Sequence, residues 1–118
     1  MRRLGVIAMA LGSLGVAFWP RPSDAAPYPT SQFVPGCEDY LNSGERPHDP
    51  ANALACRASI ATVGDVLQRL RVACMPAGVS YQTIDRVVVQ YARAHLKEWD
   101  QNFGSTIMEA YRTTWPCH

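Results

Sequence analysis

The chain has 118 residues and a mass of 13.0 kDa; 47% of its residues are apolar, 18% are charged, and its net charge is +1. That length suffices for one small domain and not for two. A pI of about 7.7 excludes the basic footprint of a dedicated nucleic-acid binder, and the ordinary apolar content with low net charge excludes disorder.

The N-terminus reads as an address. Arg2 and Arg3 form a positive region, Leu4 to Trp19 is uncharged and rich in Leu, Val, Ala and Gly, and Ser23-Asp24-Ala25 sets small residues at both positions that a signal peptidase reads. Residues 1–25 therefore have the pattern of a secretory signal peptide, cleaved after Ala25 or Ala26. The apolar run, about 16 residues, is shorter than the roughly 20 that span a bilayer, so no membrane attachment is expected after cleavage. Arg2-Arg3 reads as ordinary n-region charge rather than as a twin-arginine signal.

Removing that segment leaves about 92 residues with eight basic and nine acidic side chains. All four cysteines, Cys37, Cys56, Cys74 and Cys117, fall in this portion. An even count in a small exported chain points to two disulfides. A metal site is the alternative, but there is no Cys-x-x-Cys pair, and His48, His95 and His118 lack ligand spacing.

Residues 26–36, with three prolines, read as an extended lead-in to a domain over 37–118. A short helix is expected around Glu38 to Asn42, stopped by Gly44, with a polar loop from Gly44 to Asp49. Asp49-Pro50 is a strong helix start, a capping side chain followed by Pro in the first turn. This helix should run to about Ala73, because Cys56, Ile60, Val63, Leu67, Leu70 and Cys74 step by four and three along one stripe. Met75-Pro76-Ala77-Gly78 ends it. Ser80 caps the next helix, whose predicted apolar face carries Ile84, Val87, Val88, Tyr91 and His95, with Asp85 elsewhere. A last helix covers about Asp100 to Thr113, with Trp99, Phe103, Ile107, Ala110 and Tyr111 on its apolar side. Pro116 cannot continue it.

The fold class is thus all-α, a small disulfide-stabilised antiparallel bundle of about four helices. Cys56 and Cys74, near opposite ends of one predicted helix, are roughly 27 Å apart at 1.5 Å per residue and cannot pair. If the three longer helices alternate in direction, Cys74 meets Cys117 at one end and Cys37 meets Cys56 at the other.

Nothing in the pattern points to chemistry. His95 is the best candidate acid or base, but Glu98 and Asp100 nearby form no recognised constellation with it. The serines lack a nucleophile-elbow context, there is no glycine-rich phosphate loop, and disulfides consume the thiols. No catalytic residue, metal or cofactor is expected. At this level the function is binding.

Several residues together carry a resemblance. Cys56 to Asp65 opens a helix; Cys74-Met75-Pro76-Ala77-Gly78-Val79-Ser80 leads into the next; Val88, Tyr91 and His95 follow; and Ala110 precedes Trp115-Pro116-Cys117. This series resembles the Rap/Tai family of immunity proteins from type VI secretion systems, over about residues 54 to 117. Ser59, Thr62 and Leu96 depart from the family pattern, which has an aromatic residue, Gly and Pro at those places. The resemblance implies a helical periplasmic protein that binds and blocks a peptidoglycan amidase effector, in a family whose members can form homodimers. The alternative is a periplasmic helical chaperone or general binding module without a toxin partner.

The expected partner surface is the connection between the third and fourth helices, at His95, Lys97, Glu98, Trp99 and Asp100. An aromatic residue among charges of both signs is the usual composition of an interface anchor.

Overall fold

The computed structural model describes residues 28–118; the leader expected at 1–25 and its cleavage point lie outside them. Four helices follow one another: α1 (Thr30–Ser43), α2 (Pro50–Arg69), α3 (Tyr81–Ala94) and α4 (Phe103–Thr114), with a 3-10 turn at Leu96–Glu98 between the last two. The described residues include no strand, only an isolated bridge between Pro29 and Asn102. The all-α bundle read from the sequence is the fold.

The extended lead-in is corrected. Helix α1 begins at Thr30 and runs through Pro35, so it is 14 residues long rather than a short helix around Glu38 to Asn42. Its first N–H groups are satisfied from far along the chain. The Thr30 amide donates to the Gln101 carbonyl at 2.9 Å, and the Ser31 amide donates to the Trp99 carbonyl at 3.1 Å. The favour is returned at α4, where the Phe103 amide donates to the Tyr28 carbonyl at 2.8 Å. Two helix starts therefore cap each other's orphan groups without needing a local capping side chain on α1.

Helix α2 starts as the Asp-Pro pair predicts. Pro50 occupies the first turn and the Asp49 carboxylate accepts from the Asn52 amide at 3.1 Å. Its end comes earlier than Ala73. Arg71 adopts φ 53°, the left-handed region. Around it the Arg71 amide donates to the Gln68 carbonyl at 3.1 Å and the Val72 amide to the Leu67 carbonyl at 2.9 Å. This is the Schellman arrangement, with Arg where Gly is usual. The apolar stripe consequently stops at Leu67, and Leu70 and Cys74 are exposed.

Helices α1 and α2 form an antiparallel hairpin. Cys37, six residues before the end of α1, is bonded to Cys56, six residues after the start of α2, with Cα atoms 5.4 Å apart. The helices approach closely at Gly36, where a Cβ would lie 2.5 Å from the Asn52 carbonyl oxygen. The second disulfide, Cys74–Cys117, has Cα atoms 4.9 Å apart and ties the end of α2 to the chain after α4. Beside it the Cys74 amide donates to the Trp115 carbonyl at 2.8 Å.

The core is built from Val34 on α1, Ile60 on α2, Val88 on α3, and Phe103, Ile107 and Tyr111 on α4, all at most 2% exposed. Full burial of an aliphatic side chain such as Ile60 contributes about 1.5–3 kcal/mol. Phe33 stacks on Phe103 at 4.9 Å between ring centres, joining α1 to α4. On α3 the buried side is Ile84, Asp85, Val88, Val89 and Ala92. That face is turned by about one residue from the predicted one: His95 is exposed and Asp85 is buried. Helix α4 starts at Phe103, with Asn102 as its cap, so Trp99 and Asp100 precede it.

Candidate protein-binding site

The five residues singled out from the sequence come together at one corner, where α3 gives way to the 3-10 turn. His95 is the C-cap of α3. Its Nδ1–H donates to the Tyr91 carbonyl at 2.7 Å, and its ring stacks on Tyr91 at 3.9 Å. Since a carbonyl only accepts, Nδ1 carries the proton. Lys97 and Asp100 are exposed, and Glu98 and Trp99 are half-buried.

Trp99 is committed to the frame. Its indole N–H donates to the Ala92 carbonyl at 2.7 Å, its own carbonyl accepts from Ser31, and the Arg93 guanidinium lies 5.0 Å from the ring centre. Arg93 also pairs with Glu38 on α1. Trp99 thus holds the turn in place, and the groups left facing solvent are His95, Leu96, Lys97 and Asp100. Leu96, 61% exposed, was not singled out from the sequence. A shallow hollow of about 360 Å³ lies between Arg93 and Glu98.

A second concavity, about 540 Å³, opens between α2 and α3 and reaches Tyr111 of α4. Its floor includes Asp85, only 3% exposed. Oδ2 of Asp85 has no hydrogen-bond partner; the nearest cation, Nε of Arg57, is 3.6 Å away. Arg57 is itself held over the Tyr40 ring at 4.2 Å. Burial pushes the Asp85 carboxyl up to about 6, and the Arg57 charge opposes this only in part. Burial, with the Asp85 charge added, pushes the Tyr111 hydroxyl up to about 12.

Asp85 escaped the sequence reading because an acidic side chain is normally scored as surface. A signal was available: Asp85 precedes Val88, Val89 and Ala92 by three, four and seven residues, the spacing of one helix face.

The Gly44–Asp49 loop is organised from α1. Asp39 accepts from the Asp49 amide at 2.8 Å, the His48 amide at 3.0 Å and the Ser43 hydroxyl at 3.1 Å, with the His48 ring at 2.8 Å. The Asp49 and His48 amides hold the Asp39 carboxyl well below the usual carboxylate range. Asp65 pairs with Arg69 one turn on, at 2.7 Å. Among the described residues no three His, Cys, Asp or Glu side chains gather as a metal site would require. No described helix is long and apolar enough to cross a membrane. Both concavities are bordered by exposed apolar and charged side chains, Leu54, Tyr81 and Asp65 at the larger and Leu96 and Lys97 at the smaller.

A sequence model of one family, described as Rap1a immunity proteins, matches residues 30–117, which include all four helices and both disulfides. No curated protein and no solved structure matches the chain.

Proposed function

The chain belongs to the family of Rap1a immunity proteins, and on that membership we propose that it is a periplasmic inhibitor that binds a type VI secretion peptidoglycan amidase effector. The family match over residues 30–117 carries the reading. Immunity is achieved by occupancy: the protein covers the effector's active site and excludes substrate, without chemistry of its own.

The corner at His95, Lys97, Glu98, Trp99 and Asp100 is the proposed contact. Trp99 is anchored by its bonds to Ala92 and Ser31, which leaves Lys97 and Asp100 presented on a turn whose position is set. Pre-organisation of this kind lowers the ordering cost of binding. Charges of both signs favour one cognate partner over others, since specificity is a difference of affinities.

The test is inhibition of a cell-wall amidase encoded beside this chain. The purified protein should bind it and stop peptidoglycan hydrolysis at one-to-one stoichiometry. Lys97→Ala, Glu98→Ala and Asp100→Ala should each weaken inhibition while helicity is unchanged. If all three inhibit like the parent, the contact lies elsewhere, with the Gly44–Asp49 loop next. Full hydrolysis in the presence of excess protein would defeat the immunity reading for that enzyme.

A further inference from the structure

We propose that the concavity between α2 and α3 receives one basic side chain, lysine or arginine, from a partner protein, with the Asp85 carboxylate as its counter-ion. A buried carboxylate oxygen without a hydrogen-bond donor is an uncommon feature, because desolvating it without compensation is unfavourable. Asp85 is in that position: Oδ2 is unpartnered, and Arg57 at 3.6 Å supplies charge without a hydrogen bond. The missing group is therefore a donor, and burial of an anion selects a cationic one.

The surroundings define the rest of the occupant. The ionisable lining of the concavity is Arg57, Asp65, Tyr81, Asp85 and Tyr111. Arg57 also sits over Tyr40, and Asp65 pairs with Arg69 at the surface. With Tyr81 and Tyr111 neutral and Asp65 paired with Arg69, the charges left at the cavity are Asp85 and Arg57, and Arg57 lies over Tyr40 without hydrogen-bonding the carboxylate, so the donor Asp85 lacks is still missing. At the mouth, Leu54 and Tyr81 are 67% and 69% exposed, and Ala58 and Ala61 form the wall along α2. An apolar stem with a charged head fits such a passage, as long basic side chains bury their methylenes and keep the head polar. Asp85 and His95 are ten residues apart on α3, about 15 Å along its axis, so one partner can reach both places. The identity of that partner rests on the proposed immunity role; the pocket's chemistry does not.

The experiment uses the whole protein at pH 7.5 with Nα-acetyl-arginine amide as probe, followed by nuclear magnetic resonance. Amide signals of Ala58, Ala61 and Gly64 should shift with a dissociation constant in the millimolar range. Asp85→Asn should weaken this about tenfold or more, and Ala61→Trp, which fills the passage and leaves Asp85 in place, should abolish it. Nα-acetyl-norleucine amide, apolar throughout, should bind about tenfold more weakly. Equal binding of the norleucine probe, or unchanged binding to Asp85→Asn, would overturn the inference. So would groove signals that shift with protein concentration alone, which would place a second copy there. With a cognate amidase in hand, Asp85→Asn should weaken its binding about tenfold or more. An amidase bound equally well by Asp85→Asn removes this pocket from the interface and leaves immunity standing. A probe that binds while no amidase does removes immunity and leaves the pocket.

Discussion

The hydroxyl of Tyr111 rests against the backbone of Gly64, at a spot where a Cβ on residue 64 would overlap it. Helices α2 and α4 can approach this closely only because residue 64 has no side chain. Gly64→Ala should destabilise the protein by about 1–3 kcal/mol, the usual range for overpacking. In a Tyr111→Phe background the penalty should shrink, because the nearest clashing atom is gone. Urea denaturation of the four proteins of this cycle measures the coupling.

Asp85 should make stability depend on pH in a particular direction. Its carboxyl is held at about 6 in the folded protein, above the unfolded value of about 3.9. Between these values the folded state binds the proton more tightly, so stability is full below about pH 4 and declines as pH rises through 6. The decline should be about 2 kcal/mol between pH 4 and 7.5. Asp85→Asn should lack it. Asp39, whose carboxyl is held low, acts in the opposite sense and only in acid: its contribution is present above about pH 4 and is lost as pH falls below that. Denaturation midpoints across the range separate the two, and a parent curve that stays level from pH 4 to 7.5 would show that Asp85 ionises normally.

Thr30 carries more than a helix start. Its hydroxyl lies 2.6 Å from the hydroxyl of Thr106, likewise buried, and 3.1 Å from the Gln101 carbonyl. Thr30→Val should cost about 1–2 kcal/mol, since it leaves Thr106 without its partner. Replacing both threonines by valine should cost less than the two single changes together, which the same denaturation measurement checks.

Each disulfide should be separately measurable. Loops of about 20 and 44 residues give roughly 3.3 and 4.0 kcal/mol on the loop-entropy relation. Cys37→Ala with Cys56→Ala, and Cys74→Ala with Cys117→Ala, should lower unfolding free energy by amounts of that order. Intact mass should find the parent four hydrogens lighter than its reduced form.

Where the sequence was legible, local rules were in control. Asp49-Pro50 and Ser80 start helices by contacts within three residues, and the stripe from Cys56 through Ile60 to Leu67 is buried as its spacing predicts. The start of α1 was not legible because its donors are met by Trp99 and Gln101, about 70 residues away, while the prolines nearby argue for extended chain. The end of α2 was hidden because Arg71 occupies a conformation that Gly normally signals. At the candidate site, the clustering of His95 to Asp100 followed from adjacency. The anchoring of Trp99 and the burial of Asp85 depend on neighbours from other helices, which no local pattern names.

The two disulfides also bear on how the chain acquires them. Cys37 with Cys56 and Cys74 with Cys117 each join consecutive cysteines, so the two closed loops follow one another along the chain and neither encloses the other. A polypeptide entering an oxidising compartment N-terminus first meets its thiols in their final order. The first bond can close before the third cysteine emerges, and simple sequential oxidation gives the correct pairing. Oxidation in chain order is thus sufficient for this pairing, with no step in which one disulfide is exchanged for another.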